Sequence, residues 1–299
     1  MELTSIRRPA RSAAPPSARP VARGKTAVPR AVTMIVLIGF AVYFVGPLWW
    51  LIVASSKPMG QQFAGNGLWF QGFHLIGNIN SLLQAQGGLF VDWMGNSLLY
   101  AGVGAIGATL LAGMAGYALA KYRFRGREAV FAVILAAVLI PKMLLTMPLY
   151  LFFSDIHLIN TRLAVLLPSF VSPFGVYLCR VFASQAVPDE LIEAARIDGA
   201  SEVTIFFRVV ARMLGPALVT VFLFNVVDIW NNYLLPVMVI NDARLQPVTV
   251  GLGGWFASNG KVPMSLVVIG ALASLVPLLL VFAFLQRHWK AGLTAGALK

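Results

Sequence analysis

Charge is what this sequence has least of. Of its 299 residues only 11% are Asp, Glu, Lys or Arg, while 59% are hydrophobic. Soluble domains carry about 25% charged residues, so this composition belongs in a bilayer. Cysteine is nearly absent too: Cys179 stands alone, which excludes an internal disulfide. It lies near the end of an apolar run and reads as a buried, inert thiol. The three histidines, His74, His157 and His288, are far apart and lack metal-ligand spacing. Neither His-Glu-x-x-His nor Gly-x-Ser-x-Gly occurs. Gly24-Lys25-Thr26 matches the end of a phosphate-binding loop, but the glycine required five residues earlier is Arg19. The chain therefore has no nucleotide site and no plausible catalytic set of its own. No cofactor is expected in it, and energy for any active process must come from a partner.

What is present in quantity is uncharged apolar sequence. Residues 31–56, 93–120 and 262–286 carry no charge, and each exceeds the length needed to cross a hydrocarbon core, about 20 residues. The run 163–179 is shorter and also uncharged. Two further runs are each broken by one charge, 129–154 by Lys142 and 213–241 by Asp228. Six spans follow, at about 31–54, 95–119, 129–150, 162–182, 216–239 and 264–285. The first follows a basic start as a signal peptide would, but it is too long and no Ala-x-Ala site follows, so it is expected to be a retained span.

Six spans put both termini on one side. The tail 1–30, the loop 120–128, the loop 180–215 and the residues from 287 hold seven, four, four and three Lys/Arg, 18 of the 23. The other five are Lys57, Lys142, Arg162, Arg244 and Lys261. The positive-inside rule places the 18 in the cytoplasm. The formal charge of +12 then reports topology and contact with anionic lipid, and no nucleic-acid partner is expected. The first 30 residues, rich in Arg, Pro, Ala and Ser, read as a disordered tail. The division expected is a basic tail 1–30, a first span and outer loop 31–94, a core 95–285 containing a polar loop 186–215, and a cytoplasmic tail 286–299. In the outer loop, Trp69, Phe70, Phe73 and Trp93 are expected at the interface or capping the bundle.

The polar loop is the most specific feature. Pro188 at a helix start, acids at 189 and 190, and Gly199 as a stop define one short helix. Ser201 caps a second. Its Glu193, Ala194, Ala195 and Gly199 resemble the EAA loop of bacterial ABC importer permeases. Other phrases resemble the carbohydrate importers of the maltose type: Gly46-Pro47-Leu48-Trp49, Ser55-Ser56-Lys57-Pro58, Asn96-Ser97-Leu98, the stretch from Ala112 to Gly126, Pro148-Leu149-Tyr150, Trp230-Asn231-Asn232, and Ala291-Gly292-Leu293-Thr294-Ala295-Gly296-Ala297. The last is similar to the ending of the second permease subunit. The resemblance implies an all-α polytopic membrane protein of the type I importer class, with six spans and a cytoplasmic coupling helix. It implies a bacterial inner-membrane location, a sister permease, an ATP-binding cassette ATPase dimer holding ATP and Mg, an extracytoplasmic solute-binding protein, and a sugar substrate. It also implies that Glu193, Ala194, Ala195, Asp198 and Gly199 dock the ATPase. One departure stands out: the EAA pattern continues to Ile-x-Leu-Pro, whereas this chain has Val209, Ala211 and Arg212, with proline only at Pro216. The second helix is therefore expected to sit differently.

Competing readings attach to several motifs. Gly102-Val103-Gly104-Ala105-Ile106-Gly107 matches a dinucleotide fingerprint letter for letter but lies inside a span. Ala101, Ala105, Thr109 and Gly113, like Ala108, Ala112, Gly116 and Ala120, fall four apart, which suits close helix packing. Glu193 paired with Arg196 would make an ordinary solvated face, but that leaves two short helices inside a membrane bundle unexplained. Asp228, with Asn231 and Asn232 three and four residues on, is expected to form one helix face. That face lines a polar path for sugar hydroxyls, or forms a polar lock between helices, or leaves Asp228 as a partner to Lys142. An ion-coupled secondary transporter is the alternative function; it would need several intramembrane acids or broken helices.

Overall fold

The structure, a computed structural model, describes residues 30–295. The tail expected before residue 30, with Gly24-Lys25-Thr26, lies outside the described residues, as do residues 296–299. Two compact units divide the chain, one ending at Pro47 and one beginning at Leu48. Among the described residues there is no strand. The helices run α1 (Arg30–Ser56), α2 (Leu75–Gln84), α3 (Leu89–Lys121), α4 (Arg127–Leu139), α5 (Lys142–Asp155), α6 (Arg162–Ser169), α7 (Pro173–Ala186), α8 (Asp189–Ile197), α9 (Glu202–Ile205), α10 (Ala211–Met213), α11 (Gly215–Trp230), α12 (Leu234–Val239), α13 (Val248–Phe256) and α14 (Met264–Ala295).

Four stretches are long and apolar enough to cross a membrane: Ala31–Ser56, Leu89–Lys121, Arg162–Ala186 and Met264–Gln286. The count reaches six when two bent helix pairs are each taken as one span. The expected boundaries are corrected at three places. The span set at 129–150 is two helices, α4 and α5, bent by 102°. Pro141 sits at the break; it cannot donate to the helix ladder and forces Ile140 out of helical geometry (φ −79°, ψ 120°). The span set at 216–239 ends at Trp230, and the chain resumes as α12 only at Leu234. The outer loop expected between the spans at 31–54 and 95–119 contains α2 and the first turn of α3. There Trp93 is buried in the core, while Trp69 and Phe73 are 64% and 69% exposed.

Lys57 fixes the start of that loop. It is fully buried, and its Nζ donates to the carbonyls of Ala64 and Asn66 at 2.9 and 3.0 Å. The Asn78 amide donates to the Ser55 and Lys57 carbonyls, both at 2.8 Å. Ser55-Ser56-Lys57 thus closes the end of α1 by satisfying backbone groups that have no helical partner.

Within the second unit α3 is the central element and packs on α6, α7, α11 and α13. Its buried face is made of small residues, including Gly104, Ala105, Ala108, Ala112, Gly113 and Gly116. Of the dinucleotide-like glycines, Gly104 and Gly107 are packing positions, facing Ile229 and Phe170, while Gly102 is open. A Cβ on Gly116 would lie 2.6 Å from Cys179 Cβ and 2.7 Å from the Arg180 backbone nitrogen. The α3–α7 crossing is backbone against backbone, which is what small-residue spacing permits between membrane helices. A buried polar link crosses the same region: Ser172 Oγ donates to Asn225 Oδ1 at 2.8 Å, and Asn225 Nδ2 to Thr109 Oγ1 at 3.4 Å.

This packing generates a test. Gly116→Ala is expected to lower thermal stability in detergent by about 1–3 kcal/mol, because α7 backbone must shift to admit the methyl group. Gly102→Ala, with no atom within 4 Å of the added carbon, is expected to leave it unchanged.

Candidate functional site

The polar loop folds as a helical hairpin at the end of α3. Pro188 caps α8, Asp189 and Glu190 occupy its first turn and Arg196 its last, each placed favourably for the helix dipole. Gly199 has φ +78°, the left-handed region that glycine adopts without strain. The Ser201 hydroxyl accepts from the Thr204 amide at 3.3 Å and caps α9. The second helix then departs from α geometry. Residues Phe206–Val210 form a π-helical turn, α10 follows, and the chain bends by 86° into α11 at Leu214–Gly215. The irregularity coincides with the stretch where Val209, Ala211 and Arg212 depart from the EAA pattern.

The hairpin is held by an apolar floor and a charged fringe. Ile192, Ile205, Phe206, Val210 and Leu214 cluster with Tyr117 of α3 and Ala183 of α7. Lys121 donates to Asp189 at 2.7 Å. Arg196 donates to Glu202 Oε1 at 2.7 Å, the Tyr122 hydroxyl donates to Glu202 Oε2, and the Arg196 guanidinium lies 5.7 Å from the Tyr122 ring centre. The competing reading, in which Glu193 pairs with Arg196, is not what forms: Glu202 takes the guanidinium because it faces Arg196 across the turn. These contacts shift titration. Arg196, then Tyr122, hold the Glu202 carboxyl below its ordinary value, and Lys121 does the same for Asp189. Burial, then the Glu202 carboxylate, push the Tyr122 hydroxyl upward. Nearby, Arg180 of α7 donates to both oxygens of Glu128 in α4 at 2.9 Å and stacks 3.6 Å from the Phe131 ring centre. Arg180, then Arg127, lower the Glu128 value.

The outward side of the hairpin carries the predicted residues. Glu193, Ala194, Asp198 and Gly199 are exposed and Ala195 is half-buried. Beside them two aliphatic side chains point into open space, Ile197 at 87% and Val203 at 67% exposure. The sequence reading missed this pair; their signal is an apolar residue on each side of the Gly199 turn.

The three path candidates are not brought together as one helix face. α11 ends at Trp230, Asn231 is its cap and turns its amide back to the Val227 carbonyl at 2.8 Å, and Asn232 lies in the break before α12. Two consecutive asparagines ahead of Tyr233 and Pro236 favour turn over helix. Asp228 pairs with Lys142, the first residue after the Pro141 break, and both side chains are half or more exposed. The pairing with Lys142 is one of the readings expected for Asp228; a buried polar link inside the bundle is made separately by Asn225, which no signal in the sequence marks.

At the opposite end of α3 a second arrangement appears. Residues 243–248 form a strap held by successive turns of that helix. Trp93 Nε1 donates to the Ala243 carbonyl at 2.7 Å, Asn96 Nδ2 to Arg244 and Gln246 at 2.7 and 3.2 Å, and the Tyr100 hydroxyl to Leu245 at 2.8 Å. The Val248 amide donates to Ser97 Oγ at 2.8 Å, and Arg244 reaches Asp92 at 3.3 Å. The phrase Asn96-Ser97 is thereby explained as a backbone clamp.

Comparison with known proteins gives consistent matches. The family described as binding-protein-dependent transport system inner membrane component matches residues 105–293. The chain is 34% identical over 275 residues to the arabinooligosaccharides transport system permease protein AraQ of Halalkalibacterium halodurans, covering 89% of this chain and 96% of that protein. It is 32% identical over 270 residues to the lactose transport system permease protein LacG of Rhizobium radiobacter, covering 89% and 95%. A crystal structure of a bacterial ABC transporter involved in import of the acidic polysaccharide alginate superposes with a TM-score of 0.74 at 22% identity, covering 86% of this chain and 95% of that one; this likeness shows the fold.

The hairpin contacts predict a pH response. Glu202 has a depressed pKa, so the contribution of its ionised form is fully present above the ordinary glutamate value of 4.5 and is lost as pH falls through the lowered value. A nitroxide at Ala200 is expected to report an immobile hairpin at neutral pH and growing mobility on acidification below that range. Glu202→Gln should raise the neutral-pH mobility and flatten the response.

Proposed function

The chain belongs to the family of binding-protein-dependent transport system inner membrane components, and from that premise we propose that it is one permease subunit of an ATP-driven importer of a sugar or oligosaccharide. The sugar assignment draws on the arabinooligosaccharide and lactose permeases among its relatives. It forms the path with a sister permease, receives substrate from a solute-binding protein, and docks a cytoplasmic ATPase dimer that binds ATP and Mg. It has no ATPase activity of its own. Both termini lie in the cytoplasm, an orientation supported by the 18 of 23 Lys/Arg on that side.

One observation carries the docking assignment. A hairpin anchored to α3 by an apolar floor presents Glu193, Ala194, Ala195, Asp198 and Gly199 outward, with Ile197 and Val203 exposed beside them. An exposed aliphatic pair on a polar, rigid turn fits a partner groove: apolar area supplies affinity, and the fixed backbone keeps the ordering cost low. Asp228 and Lys142 are proposed to line the path, since an exposed ion pair at membrane depth requires water or protein against it and not lipid. Broken helices, one of the features the ion-coupled alternative would need, are present, but the family match and the sugar-permease relatives favour the ATP-driven importer.

Docking is tested at Gly199. Its Cβ position is open, so only the backbone angle opposes a side chain there. Gly199→Val, strained by about 1–2 kcal/mol, is expected to reduce ATPase co-purification and sugar uptake in membranes holding normal amounts of the subunit. Gly199→Asn, which tolerates positive φ, should retain both. Wild-type behaviour of Gly199→Val would refute docking through this turn.

The path assignment is tested at the ion pair. Asp228→Ala is expected to impair uptake while the complex still assembles, and reversing the pair, Lys142→Asp with Asp228→Lys, to recover part of it. Loss of the complex from the membrane in Asp228→Ala would point to a purely structural lock.

A further inference from the structure

Cations are scarce away from the cytoplasmic side, and the fates of those few differ. Lys57 is buried on two carbonyls and Lys142 is paired with Asp228. Arg162 and Arg244, from elements more than eighty residues apart in the chain, line one cavity of about 270 Å³ together with Asp92 and Asn96. Arg162, the first residue of α6, is exposed and has no carboxylate within ion-pair distance among the described residues. Arg244 is only partly neutralised, by Asp92 at 3.3 Å, and its own side chain is 66% exposed.

The cavity wall is rigid. Arg244 sits on the strap whose backbone is bonded by Trp93, Asn96 and Tyr100 of α3, so the guanidinium is presented from a fixed platform. A preorganised cation at an exposed rim favours an anionic partner group, and a guanidinium pair suits the two oxygens of a carboxylate. The volume falls below the roughly 300–1,000 Å³ of small-molecule sites, which suits a single side chain better than a sugar chain.

We infer that Arg162 and Arg244 form a seat for an acidic side chain of the solute-binding protein, fixing how that protein docks on this subunit. The inference rests on the importer reading above, since it needs a binding protein to arrive at this end of α3. Exposed rim charges act chiefly through association rate and orientation, so the effect is expected to be strongly salt-dependent. Asp92 has a positioning part: its carboxylate holds Arg244 toward the cavity.

The test uses the assembled complex in vesicles. The readout is ATPase stimulation by the cognate solute-binding protein as a function of that protein's concentration. Arg162→Glu is expected to raise the half-maximal concentration about tenfold, Arg162→Gln less, and Arg162→Lys little. High salt should raise the wild-type value and barely move that of Arg162→Glu. If Arg162→Glu fails to assemble, Arg162→Gln and the wild-type salt dependence decide. Unchanged half-maximal concentrations and no salt dependence would overturn the proposal. So would an effect confined to sugar concentration at saturating binding protein, which would assign the seat to an acidic sugar, or one seen only in vesicles containing phosphatidylglycerol, which would assign it to lipid phosphate. A wild-type complex that no binding protein stimulates would defeat the importer reading itself; a stimulated wild type with indifferent Arg162 variants would defeat only the seat.

Discussion

The close approach of α3 to α7 is the constraint on which the rest of the second unit depends. At Gly116 the two backbones come so near that one added carbon would lie 2.7 Å from the Arg180 nitrogen. In lipid no hydrophobic force drives helices together, and association relies on packing and interhelical polar bonds. The small face of α3 supplies the first, and the link from Ser172 through Asn225 to Thr109 supplies the second. Arg180, one residue past Cys179 in that contact, then carries the Glu128 pair and the Phe131 stack, so the crossing also positions the first turns of α4.

A rigid α3 has consequences at both of its ends. Its 33 residues span about 50 Å at the helical rise. At its start, Asp92, Trp93, Asn96, Ser97 and Tyr100 hold the strap at 243–248. At its finish, Tyr117, Lys121 and Tyr122 hold the hairpin. Both sites are therefore referred to one helix, and a displacement of α3 is felt at each. The spans that depart from this order are broken by proline or by asparagine: α4 and α5 at Pro141, α11 and α12 at Asn231–Tyr233. The Lys142–Asp228 pair joins the rims of these two breaks, so the irregular backbone and the exposed charges occur together.

Much of this was legible in the sequence because the signals are local. Uncharged runs, a proline start, a glycine stop and a serine cap each depend on neighbours within a turn, and the hairpin follows them residue by residue. Small residues four apart announced the packing face of α3. The signals that failed depend on distance in the chain. Nothing around Asn96 says that its amide meets a carbonyl some 150 residues away, and nothing around Asn225 separates a buried lock from a path residue. Asp228 drew attention through charge, and the helix face drawn through it assumed that α11 continues to residue 239. A hydrophobic run does not reveal that Asn231-Asn232 ends it. The competing reading paired Arg196 with its sequence neighbour Glu193, and nothing local says that the turn at Gly199 brings Glu202 to it instead.

The central claim is that the hairpin held on α3 is the surface that meets the ATPase. It is tested most directly by placing a photoreactive amino acid at Ile197, the most exposed aliphatic side chain of the turn, and irradiating native membranes. The account predicts an adduct between this subunit and the ATPase. An Ile197 probe that leaves the ATPase unlabelled in assembled, transporting complexes would contradict it.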